Sequence, residues 1–457
     1  MYIVSTKQSK LDSFARILLL VYLAECTVGS SGKLISFGPV SIRMLLFGLC
    51  FVTTLPAVFQ NMKKLVKNNQ VIVTVALGVY WLICALIGFK TGNQPALVWA
   101  DVTGMMGLAL VPGFISVMSS GEAIRKAMNV IFIGATALAA VCIVIHFAVA
   151  GDDMTRFHHI NIWINERSLG GLARLTSGID RIYLKSQIFL QVGILYGVWL
   201  LGNKAPGKRL WVYLAMGIQF CGWVLSYTRG FWLGLLISAL IIFVMNPREW
   251  KLYLKASGAM LSIFCVFLLM SSSLYGGSKV VSEIVDRTDS SLLAQKEDVQ
   301  TEQIAPDTDG DGSVSIEEAN TAASKLRGQS LKLIYERIGD HPVFGNGLGE
   351  NLDEIRSDGK IEYMYLDLMM KTGFVGLVLF VLTFFGAAAQ HLIWEIRHRG
   401  EKKEWDSPRM RDRYLVAAFL GVALTSWFNP FLTNPMGISL LMLTSTAVYT
   451  TNKLAGK

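Results

Sequence analysis

Apolar residues fall into twelve blocks, near 14–28, 40–59, 71–89, 96–118, 128–150, 186–202, 210–226, 230–246, 252–270, 363–386, 414–430 and 436–450. A helix needs about 20 apolar residues to cross a bilayer's hydrocarbon core, so the pattern predicts an all-α, polytopic integral membrane protein of about 12 transmembrane helices. Residues 1–150 hold the first five predicted helices, 186–270 the next four and 362–457 the last three. Two longer polar stretches, 151–185 and 271–361, interrupt them. The first block carries Arg16 and Glu25. Because Glu25 stands where a signal-peptide cleavage site wants a small residue, the block is read as a retained helix.

Composition agrees with that reading. Of 457 residues, 53% are hydrophobic and 16% charged, with mean hydropathy +0.46, which excludes a single soluble globule. The net charge of +9 does not indicate nucleic acid, because Lys and Arg sit in short clusters between apolar blocks. Lys63/Lys64/Lys67, Arg125/Lys126, Lys204/Lys208/Arg209 and the run from Arg397 to Arg413 fall in alternate short loops, whereas the opposite loops hold only Lys33, Arg43, Lys90 and Arg229. The asymmetry predicts cytoplasmic termini and places 151–185 and 271–361 outside. All six cysteines lie in or beside apolar blocks, so neither a disulfide framework nor a CxxC metal site is expected.

The second outward stretch differs in kind. Ser272 to Ile361 holds 17 acidic and 9 basic residues, and apolar spacing over Leu326, Leu331, Leu333, Ile334 and Ile338 predicts an amphipathic helix within a helical cap. Asp307, Asp309, Asp311, Ser313, Ser315 and Glu318, with Gly312 between, fit the twelve-residue loop that wraps calcium in six to eight oxygens. Pro306 breaks the usual entering helix, which predicts a lone half-hand binding at about 10⁻⁴–10⁻³ M, a structural clip. Asp101 and Asp367 are intramembrane carboxylates, read as cation or proton sites or as partners of buried donors. His158 and His159 lack partners at ligand spacing and are expected to be hydrated.

At the outward end of the seventh and eighth blocks stands Ser226-Tyr227-Thr228-Arg229-Gly230. An arginine at a hydrocarbon boundary is costly and thus a functional candidate, and its forked donors suit a diphosphate. Arg327 opens the predicted amphipathic helix, and His341-Pro342-Val343-Phe344-Gly345-Asn346-Gly347-Leu348-Gly349 follows. Glu362-Tyr363 then precedes Tyr365-Leu366, with Gly373 and Gly376 on the next block. In order and spacing these elements resemble the O-antigen ligase/polymerase family of bacterial membrane glycosyltransferases over roughly residues 150–450.

The resemblance implies a GT-C-type fold in the bacterial inner membrane, with its active site on the periplasmic side. The reaction expected is polymerisation of undecaprenyl-diphosphate-linked oligosaccharide units, with no cofactor needed for catalysis. Its partners would be the lipid-linked glycan donor, a glycan or glycolipid acceptor, membrane lipids and a chain-length regulator. Arg229 and Arg327 are then the expected diphosphate clamp, with Arg174, Arg181 and Tyr365 as substrate contacts. Ligases of the family carry His where this chain has Glu362; the change favours a polymerase and makes Glu362 the candidate base, with His341 a second candidate for direct chemistry. A ligase moving finished glycan to a glycolipid or protein is the alternative within this chemistry. A lipid-linked oligosaccharide flippase or transporter is the alternative outside it, opposed by the absence of a repeated half.

Overall fold

A computed structural model describes residues 10–38, 40–150, 154–175, 179–203, 206–275, 316–352, 361, 363–398 and 404–454. Over 316–327 it describes the backbone alone. In chain order the helices are α1 Lys10–Val28, α2 Ile42–Leu65, α3 Asn69–Thr91, α4 Pro95–Met105, α5 Val111–Met118, α6 Gly121–Val149, α7 Met154–Glu166 and α8 Ile188–Asn203. There follow α9 Pro206–Val224, α10 Arg229–Met245, α11 Trp250–Tyr275, α12 Ile316–Asp340, α13 Met364–Arg397, α14 Pro408–Thr425 and α15 Pro435–Leu454. A 3₁₀ turn over Met106–Leu110 joins α4 to α5, and two short antiparallel strands, β1 Ser36–Phe37 and β2 Val40–Ser41, pair just before α2.

Each apolar block lies on helix, but the expectation of twelve spans is met only in part. Among the described residues, six segments are long and apolar enough to cross a bilayer: Ile42–Leu65, Asn69–Thr91, Pro95–Met118, Gly121–Val149, Pro247–Tyr275 and Met364–Arg397. The 16-residue α8 reaches only about 24 Å at 1.5 Å per residue. All of it from Ile188 to Leu201 is buried, as befits a helix apolar on every side and sheathed by protein. By contrast α2 and α11 turn Leu45, Leu49, Val52, Leu254, Leu261 and Leu269 outward, as contact with hydrocarbon requires. Charge inside α1 is matched across the bundle, where Glu25 receives the Arg43 guanidinium of α2.

Two polar stretches are more ordered than bare loops. The region 151–185 carries α7 and a hairpin of β3 Gly170–Arg174 with β4 Asp180–Leu184, in register Gly170↔Leu184 through Arg174↔Asp180. The basic run is not wholly a hydrated loop either, because Arg409, Arg411 and Arg413 are buried in the first turns of α14. Arg411 binds Asp412 at 2.6 Å, Arg413 binds Glu395 at 2.5 Å, and Arg409 lies 4.1 Å above the Trp394 ring. Of the expected cap, the described part is α12, which is longer than the helix predicted from Leu326 to Ile338. It packs Ile334 onto Met370 of α13 beside Leu352 and Ile361.

Contacts define two ends of the bundle. At one, here the rim, the end of α9 meets the hairpin (Ile182 N to Leu225 O, 2.9 Å) and the α14–α15 turn meets α4 at Gly104. At the other, the base, Trp199 donates to Trp405 O at 3.0 Å and Arg411 to Gly121 O at 3.3 Å.

Candidate functional site

The rim is organised around a break in α13. Gly373 has φ 64° and ψ −169°, a conformation open essentially to glycine alone. The break severs the rungs that would join the amides of 374 and 375 to the carbonyls of 370 and 371. The His341–Gly349 loop enters the gap and satisfies all four groups. Asn346 N binds Met370 O and Gly347 N binds Lys371 O, both at 3.0 Å, while Phe374 N binds Pro342 O at 2.8 Å and Val375 N binds Val343 O at 3.2 Å. Leu348 N also reaches Cys84 O at 3.0 Å. Cys84 lies seven residues before the end of α3, so the loop dips about 10 Å below that end.

Beneath the loop, Lys371 Nζ sits 3.1 Å from both Asp101 of α4 and Asp367 of α13. Asp101 also accepts the Gly349 amide at 2.8 Å. The two intramembrane carboxylates thus converge on one buried ammonium and, through Asp101, on the glycine loop. Lys371 was missed by sequence reasoning; its spacing of four from Asp367 was the available signal.

A second group forms at the α9–α10 corner. Tyr227, with φ 44°, turns the chain sharply there. Arg229 opens α10 with its side chain exposed. Arg181 of β4 braces the corner, donating to Ser226 O at 2.9 Å and to Thr228 Oγ1 at 3.2 Å. Its guanidinium lies 5.5 Å over the Tyr183 ring. Burial pushes the Tyr183 phenol up to about 12, against the opposing pull of Arg181. Gly230 packs against Phe428 and Thr425, and Tyr365 lies 5.6 Å from Trp427, donating to Ala423 O at 2.8 Å. Arg229, Arg181 and Tyr365 are therefore linked through the end of α14.

Arg174 is engaged elsewhere in the hairpin, binding buried Asp180 at 2.9 and 3.2 Å. His341 is exposed and lines a polar cavity of about 760 Å³ beside the α3–α4 turn. Glu362 and the calcium-loop residues Asp307, Asp309, Asp311, Ser313 and Ser315 lie outside the described residues; of Arg327 and Glu318 only the backbone is described. Among the described residues no three His, Cys, Asp or Glu side chains gather as metal ligands, and His158 and His159 are exposed on α7.

Alongside the corner, α8, α9, α10 and α11 enclose an apolar groove of about 780 Å³. It runs from Trp223 and Trp232, next to the Arg229 turn, down to Phe243, Tyr253 and Tyr414 toward the base. A helical membrane protein with cationic chemistry at its rim and an apolar groove leading up to it is the class these features define. Residues 214–381 match the family model described as O-antigen ligase. This stretch contains the Arg229 corner, the inserted loop and the broken helix, and it belongs to the O-antigen ligase family of membrane glycan-processing enzymes. No curated protein matches the chain significantly.

Proposed function

We propose that this protein polymerises oligosaccharide units carried on undecaprenyl diphosphate, at the periplasmic face of a bacterial inner membrane that the chain crosses twelve times. The observation that carries the reading is the Arg229–Arg181 corner at the head of the apolar groove. The groove suits a polyprenyl chain, and the first turn of α10 with the Arg229 fork suits the diphosphate. In the reaction the acceptor hydroxyl oxygen bonds to the anomeric carbon and the carbon–oxygen bond to diphosphate breaks. The carrier diphosphate leaves with the electron pair. Its growing charge is what guanidinium groups stabilise, with Arg229 and Arg327 as the clamp and Arg181 holding the corner in shape. The hydroxyl proton passes to a base, for which Glu362 is the first candidate and His341 the second. The Asp307–Glu318 loop would hold calcium as a structural clip outside the chemistry.

The test is incubation of purified protein in nanodiscs with a synthetic undecaprenyl-diphosphate repeat unit. A ladder of products is expected from the wild type. Arg229→Lys keeps the charge but loses the fork, and should cut the rate by about 10²-fold; a near-normal ladder overturns the clamp. The description of the matched family favours a second reading, transfer of finished glycan to another acceptor, and a single transfer product in place of a ladder would select it.

A further inference from the structure

The 760 Å³ cavity is separate from the Arg229 corner and from the apolar groove. It lies between the α3–α4 turn, which supplies Asn93 and Gln94, the end of α12, which supplies Arg337 and Asp340, and the loop residues His341 and Glu350. We propose that it is the acceptor-sugar subsite, which rests on the glycosyl-transfer reading above and adds to it where the incoming glycan binds.

Its chemistry separates it from the donor groups. No aromatic or long aliphatic side chain lines it apart from the histidine ring, so it does not suit a lipid tail. Arg337 is paired with Glu350 at 3.6 Å, and Asp340 leaves the lining with net charge −1 when His341 is neutral, which disfavours a diphosphate. What remains is amides, carboxylates, the Thr91 hydroxyl, the His341 imidazole and one guanidinium. These offer donors and acceptors in pairs, as a chain of sugar hydroxyls requires. The volume lies within the range of small-ligand sites.

The floor is also preorganised. Asn93 Nδ2 donates to Leu348 O at 3.0 Å, and Asn346 Nδ2 donates to Arg337 O at 2.8 Å and Met370 O at 3.1 Å. The cavity floor is thus the same loop that mends α13, and the first turn of α13 carries Tyr365 against α14 on the donor side. Acceptor and donor groups flank one short stretch of helix.

The probe is the oligosaccharide freed by mild acid from the synthetic donor, titrated as acceptor into nanodisc-embedded protein at fixed lipid-linked donor. Glu350→Gln removes a charged acceptor at nearly constant shape, and Gln94→Trp adds bulk at an exposed residue of the lining. Each should raise the acceptor KM by about tenfold or more, with donor KM and kcat at saturating acceptor unchanged, the signature of binding lost equally from the ground and transition states. Saturation-transfer contacts from protein to the free oligosaccharide should weaken in parallel. Transfer at unchanged acceptor KM in both variants overturns the subsite and leaves the reaction standing. A raised donor KM in its place assigns the cavity to the donor and likewise overturns it. No transfer by the wild type removes the reaction, and the acceptor role with it.

Discussion

Replacing Gly373 by alanine should open the joint between the inserted loop and α13. A β-carbon there would fall against the Val343 carbonyl and 2.6 Å from the Gly345 nitrogen, both backbone atoms of the loop that fills the break. The backbone conformation alone costs a non-glycine residue about 1–3 kcal/mol. If two of the four joining hydrogen bonds are lost, each contributing about 0.5–1.5 kcal/mol net, the total is about 2–6 kcal/mol. Hydrogen exchange in nanodiscs reads this locally. The amides of Asn346, Gly347, Phe374 and Val375 should exchange at least about thirtyfold faster in Gly373→Ala. Gly258→Ala on α11 is the control, since an added β-carbon there meets nothing within 4 Å, and it should be neutral or slightly stabilising. Wild-type exchange at all four amides in Gly373→Ala would refute the role assigned to the break.

Lys371→Met should destabilise the protein by about 3–5 kcal/mol, because it leaves Asp101 and Asp367 partly buried with their shared cation gone. Adding Asp101→Asn and Asp367→Asn to that variant should recover part of the loss in thermal unfolding, and a triple variant no better than the single one would show the cluster is not coupled. If the Asp307–Glu318 loop binds calcium at 10⁻⁴–10⁻³ M, about 2 mM calcium should stabilise the protein by about 0.6–1.8 kcal/mol. Chelation should then lower the melting temperature by a few degrees, and Asp307→Ala with Glu318→Ala should remove that dependence; equal melting with and without calcium in the wild type discards the site.

The apolar blocks located helices well because backbone in hydrocarbon must satisfy itself internally. They could not tell lipid from protein as surroundings. The block at 186–202 reads like any span, yet α8 is enclosed by its neighbours, while the less apolar α11 turns leucines outward. The block at 96–118 reads as one helix, yet it tightens at Met106–Leu110, where Gly104 and Gly107 lie close against Thr433 and Ile438 of the α14–α15 region. Counting Arg409, Arg411 and Arg413 as loop charges failed for a related reason. Besides Asp412, they meet groups on other elements, Glu395 and Trp394 on α13, Gly121 on α6 and Asn246 after α10, beyond the reach of any local pattern.

The site was legible where its signal was local. Arg229 beside an apolar block, the glycine spacing from Gly345 to Gly349, and Asp367 on its block could all be seen as residues of interest. Their meaning depended on pairings 24 to 270 residues apart: Asn346 with Met370, Gly347 with Lys371, and Asp101 with Lys371. Gly373 and the segment Pro342–Gly347 are one unit for a physical reason. A helix broken within a bundle frees two carbonyls and two amides, and each must find a partner away from water. The loop supplies two carbonyls and two amides in matching order. A substitution at either end should therefore open the same four bonds, so exchange at the Phe374 and Val375 amides would report on damage to a loop about thirty residues earlier in the chain.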